Sequence, residues 1–118
     1  MFNFEKLDVW QEAMACADLV YKITKSFPEQ ERFGLTNQMR RAAVSISSNI
    51  AEGSSRTSRT DFARFVELAT GALFEVVSQA MICRRQDFLA ENDFRALCDS
   101  CEKQSKMLSG LRKSLLQN

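Results

Sequence analysis

Histidine is missing from this sequence, and proline, tryptophan and tyrosine each occur once in 118 residues, beside four glycines. Without histidine there is no imidazole base, no Ser-His-Asp or Cys-His arrangement, and no Glu-x-x-His pair of the kind that builds di-iron sites in helical bundles. Scarce proline and glycine leave little material for tight turns, which favours a few long helices over many short strands. No run approaches the roughly 20 apolar residues needed to cross a bilayer. The opening MFNFEKLDVW lacks a basic segment followed by an apolar stretch, so a secretory leader is not expected and a cytoplasmic location is. Neither a P-loop nor a G-x-G-x-x-G fingerprint occurs. These absences predict a chain that is not an enzyme and holds no metal or cofactor.

What is present is ordinary globular composition, 45% apolar and 26% charged with a net charge of +1, in a length that suits one domain over residues 1–118. The charge is uneven. Residues 1–31 carry a net −3, whereas residues 32–64 carry +4, all of the positive charge there being arginine. Arginine forms planar, two-pronged contacts with phosphates and carboxylates. Arg40, Arg41, Arg56, Arg59 and Arg64 are therefore candidate contacts to an RNA or DNA backbone, gathered toward one end by the turn after the second helix. The alternative is a solvated helix face with ion pairs between subunits.

Four cysteines, Cys16, Cys83, Cys98 and Cys101, include one C-x-x-C pair. A structural zinc site needs four ligands, and neither a second C-x-x-C nor a histidine supplies the rest. Reduced, partly buried thiols are expected. A carboxylate cluster of Glu52, Glu67 and Glu75 is the other conceivable metal site; helix-surface ion pairing is the simpler role for these residues.

The apolar spacing predicts four helices. In the first, Leu7 to Phe27, one row is Leu7, Trp10, Met14, Ala17 and Tyr21, and a second is Val9, Ala13, Cys16, Val20, Ile23 and Phe27, with Pro28 as the stop. The second runs from Leu35 to Glu52, ends at Gly53, and buries Met39, Ala42, Ala43, Ile46 and Ile50. Its other side carries a polar, small-residue stripe of Gln38, Arg41, Ser45, Ser48, Asn49 and Glu52. After a polar loop, Ser58 caps a third helix from Arg59 to Asp87, with Asp61 in its first turn. The fourth starts at Glu91, with Phe94, Leu97, Cys101, Leu108, Leu111 and Leu115 at heptad spacing. Short connections imply antiparallel neighbours, hence an all-α, up-down-up-down four-helix bundle. The apolar faces of the first and third helices are wider than a core needs, so a homo-oligomer is expected. Gln38, Arg41, Ser45, Asn49 and Glu52 are the candidate interface, with Arg41, Asn49 and Glu52 as an intersubunit network.

The segments FEKLDVWQEA, FPEQERFGLTNQMRRAAVSISSNIAEGSSR and DFARFVELATGALFEV resemble the bacterial four-helix bundle family encoded within 23S ribosomal RNA intervening sequences. The likeness spans nearly the whole chain and is densest from Phe27 to Gly53. It departs at Ala90, where a serine cap is more typical, and at Ser47, where many members have proline. The resemblance implies a cytosolic bundle forming a ring-shaped homopentamer. The family also looks related to the accessory variability proteins of diversity-generating retroelements, basic pentamers that bind nucleic acid.

Overall fold

Two apolar rows run along the first helix, and the core takes one of them. In the computed structural model, which describes residues 1–117, α1 spans Asp8–Thr24. Val9, Ala13, Cys16, Val20 and Ile23 are buried, while Met14 and Tyr21 of the other row stay exposed. The helix stops three residues short of Phe27. Thr24 donates its hydroxyl to the Val20 carbonyl at 2.7 Å and Ser26 to that of Ile23 at 3.1 Å, so side chains take up carbonyls near the helix end. The chain then turns, and the Phe27 ring packs 6.0 Å from Phe88. Pro28 leads into a 3-10 turn, Glu29–Glu31, rather than ending a helix. A second 3-10 turn, Asn3–Lys6, precedes α1 and sets Phe4 edge-on to Trp10.

Helix α2 spans Leu35–Ser54 and buries the whole expected row from Met39 to Ile50. Gly53 does not end it. The residue is buried inside the last turn, where an added Cβ would lie 2.7 Å from the Phe65 Cβ and 2.8 Å from the Phe62 ring. Its role is close approach of two helices, not a left-handed cap. Helix α3 spans Arg59–Arg85, with Ser58 accepting the Asp61 amide at 3.0 Å as its cap. It ends two residues before Asp87, which adopts a φ of 62° while the Phe88 amide reaches back to the Cys83 carbonyl. Helix α4 spans Glu91–Leu116 and starts at Ala90 with no side-chain cap.

Contacts between neighbouring helices run in opposite directions. Gly53 meets Phe65 near the α2–α3 link, and Met39 meets Cys83 at 3.6 Å near the far end. Likewise Glu67 pairs with Arg112 across α3 and α4, and Glu12 with Lys103 across α1 and α4. Each helix thus sits between two antiparallel neighbours in the order α1, α2, α3, α4, forming a rod of 47 × 21 × 21 Å. By length and composition α3 does meet the requirement for a membrane span, with a mean hydropathy of 1.4 over 18 residues, although the sequence reading finds no such run. In the bundle 39% of that window is buried, through residues such as Ala69, Leu73, Val76 and Ala80.

Candidate functional site

The five candidate arginines fall into two groups. Arg56, Arg59 and Arg64 lie at the α2–α3 turn; Arg40 and Arg41 stand more than three helical turns back along α2. At the turn the charge is already engaged. Arg56 faces Glu52 at 3.3 Å and Asp61 at 3.7 Å, Arg64 holds Asp61 at 3.0 Å, and both guanidinium groups lie over the Phe65 ring. Arg59 donates to the carbonyls of Ser114 and Leu115, neutralising the negative end of the α4 dipole. Asp61 occupies the first turn of α3, where an anion would otherwise find free amides.

Along α2, Arg40 donates to Thr24 Oγ1 at 2.9 Å and lies 4.6 Å from the centre of the Tyr21 ring, tying α2 to α1. Arg41 is different. It is exposed, has no ion-pair partner among the described residues, and lines a polar groove of 390 Å³ between α2 and α3 with Asn37, Gln38, Ser45, Glu75 and Gln79. The buried Gln79 Oε1 has no hydrogen-bond partner among the described residues. Part of the polar stripe is satisfied within the chain: Asn49 donates to the Ser45 carbonyl at 2.8 Å and hydroxyl at 3.0 Å, and Glu52 accepts from Arg56. Arg41, Asn49 and Glu52 therefore share a face without bonding one another inside one chain.

The carboxylates separate as well. Glu52 is held by Arg56, Glu67 by Arg112 at 3.1 Å, and Glu75 lines the polar groove. Among the described residues no three His, Cys, Asp or Glu side chains converge as metal ligands. The C-x-x-C pair splits between core and surface. Cys101 is buried against Cys16 of α1, while Cys98 is half-buried and lines a groove. A hydrogen bond from the Cys101 thiol favours the Cys16 thiolate and lowers its pKa, and the same contact together with burial pushes Cys101 up. Burial raises Cys83 to about 11.

Among the buried residues outside the expected core rows, which include Thr24, Thr36, Ser47, Ala63 and Leu89, Gln104 stands out. Gln104 is fully buried, donates to Ser100 Oγ at 3.2 Å, and leaves its carbonyl oxygen without a partner among the described residues. It falls between Cys101 and Leu108 at the heptad position, so spacing rather than residue type was the signal that marked it.

On the opposite flank of α3 the surface is apolar. Phe74, 63% exposed, and Met81, 51% exposed, stand beside a groove of 430 Å³ between α3 and α4, lined also by Leu73, Val77, Cys98 and Cys101. Leu68 and Ile82 are exposed on the α2 flank, and Phe33, in the turn before α2, is 85% exposed. The apolar excess expected from α1 and α3 is thus present on the outer surface.

Comparison with known proteins agrees with the resemblance read from the sequence. A family model described as 23S rRNA-intervening sequence protein matches residues 5–110. A crystal structure from Bacteroides thetaiotaomicron VPI-5482, of a protein with unknown function from the S23 ribosomal protein family, superposes with a TM-score of 0.79. It is 22% identical, over 89% of this chain and 98% of that one, a likeness of fold. No curated protein matches.

Proposed function

The chain belongs to the 23S rRNA-intervening sequence protein family, and from that premise we propose that it works without a catalytic centre, as a cytoplasmic bundle that assembles with copies of itself into a ring, of five subunits as the resemblance implies. The observation that carries this reading is the exposure of Leu68, Phe74, Met81 and Ile82 on α3, whose core row is already full, and of Phe33 in the turn before α2. Arg41 fits the same role: an exposed, unpaired guanidinium beside Ser45 and Glu75 is suited to a carboxylate or carbonyl on a neighbouring copy. Multi-angle light scattering is the test. A mass several times that of one chain is expected, falling toward the single-chain mass on Arg41→Ala with helicity unchanged in circular dichroism. A wild-type particle of single-chain mass refutes the assembly.

A second reading is binding to an RNA or DNA backbone. It is favoured by Arg41 alone among the five arginines, because it lies free beside Asn37, Ser45 and Ser48 and would be repeated around a ring. The acid partners of Arg56 and Arg64 leave those two less charge to offer. Retention of a structured RNA at low salt, lost on raising the salt and on Arg41→Glu, supports it; no retention at low salt removes it.

A further inference from the structure

We infer that the ring contact is a knob and a hole: Phe33 of one copy seats in the α3–α4 groove of the next, with Arg32 beside it meeting Glu102 on the groove. The inference rests on the assembly reading above and adds to it a contact on faces other than the α2–α3 groove that holds Arg41.

The knob is unusual. Phe33 is 85% exposed although it belongs to an ordered turn, between the 3-10 turn at Glu29–Glu31 and the start of α2. Within the chain its ring faces the Arg32 guanidinium at 5.3 Å, and Arg32 is otherwise held only by Glu29, at 3.6 Å in a solvent-exposed pair. The hole is an apolar groove with buried Leu73 and Cys101 among its lining and Phe74 and Met81 exposed beside it. Glu102 also lines it, and has no ion-pair partner among the described residues. A cation stands beside the knob, and an unpaired anion beside the hole.

Placement makes these two features partners of different copies. Around the bundle the α3–α4 groove lies across from the α1–α2 connection that carries Phe33, so a chain cannot fill its own groove. The α1–α2 and α3–α4 connections share one end of the rod, as the Phe27–Phe88 contact requires. The groove runs from Met81, one helical turn from the end of α3, to Leu73, about three turns from it, with Glu102 about three turns into α4. The knob at the rod's end thus stands level with the near part of the hole, and a tilt of the neighbouring rod brings Arg32 toward Glu102. Copies standing side by side in the same orientation therefore present the knob of one to the hole of the next. A head-to-tail contact between different patches at one level is what a closed ring needs; two-fold pairing would need a self-complementary patch.

Cys98 in the groove supplies a built-in reporter. Phe33→Cys, oxidised mildly with diamide, is expected to give a ladder of disulfide-linked dimers and larger species in denaturing gels, lost in Phe33→Cys with Cys98→Ser. Independently, Phe33→Ser is expected to weaken assembly at least about tenfold, the change that follows from leaving one phenylalanine unburied. A mixture of Phe33→Ser with Met81→Glu should recover a one-to-one dimer, since one intact knob and one intact hole remain. If wild type is oligomeric yet Phe33→Cys gives no ladder and Phe33→Ser keeps its full mass, the knob-and-hole contact is wrong and assembly stands on another face. If wild type is monomeric, both fall together.

Discussion

The seam between α2 and α3 at Gly53 and the seam between α1 and α4 at Gln104 are built on opposite terms. Helices α2 and α3 are joined by the short link Ser55–Ser58, and just before it Gly53 lets the backbone of α2 come within van der Waals reach of Phe62 and Phe65. Any side chain there meets the fixed Cβ of Phe65. Helices α1 and α4 come from the two ends of the chain, and their contact holds Cys16, Cys101 and the buried amide of Gln104. A tight apolar contact, as at Gly53, penalises added atoms, whereas an unpaired buried polar atom, as at Gln104, penalises the atom already present. These two positions should respond to mutation with opposite signs.

Gly53→Ala is the harshest test. It brings a methyl into a 2.7 Å contact with Phe65, and overpacking outweighs the gain in helix propensity, for a net loss of about 2 kcal/mol. Urea unfolding measures it; an unchanged midpoint would mean that the helices can separate freely at that point. Gln104→Leu should do the reverse across α1 and α4. Removing a buried carbonyl without a partner, at the expense of the amide's hydrogen bonds to Ser100 and Cys16, is expected to stabilise by about 1 kcal/mol in the same titration. A destabilised variant would show that the amide oxygen is satisfied, by a thiol proton or a water.

Gly71→Ala serves as the internal control for Gly53. Nothing lies within 4 Å of a Cβ at Gly71, so only propensity acts and stability should rise by about 0.5–1 kcal/mol. If copies assemble as proposed, a loss instead would place Gly71 against a neighbouring copy. The smallest effect is read by pH. Cys83, beside Met39 in the α2–α3 seam, has its pKa raised from 9.0 to about 11 by burial, so the unfolded chain releases that proton first. The stability it contributes is complete below about pH 9 and is lost as pH rises toward 11. Melting temperatures should therefore fall in that window, less steeply in Cys83→Ala. An equal slope in both proteins would assign the loss to other groups.

Much of this molecule was legible from residue spacing. Four helices, the Ser58 cap, and the buried rows of α2 and of the second α1 row follow from periodicity, which is local and survives without knowledge of neighbours. The helix ends were less legible. Gly53 reads as a cap because glycine commonly ends helices, yet here it answers to Phe62 and Phe65, which come from another helix. Gln104 reads as surface by residue type and sits at a core position by spacing.

The candidate site divides along the same line. That residues 32–64 are rich in arginine and that α2 carries a polar stripe needed only the sequence. Which arginines keep their charge free did not. Arg40 reaches back to Thr24 and Tyr21 on α1, Arg59 reaches the end of α4, and Arg41 shares a groove with Glu75 without forming an ion pair. Periodicity assigns each residue to a face of its own helix, but the partner facing it is set by how four helices close around one core. That closure spent the acids near Arg56 and Arg64 inside the chain and left Arg41 and Phe33 on the outside.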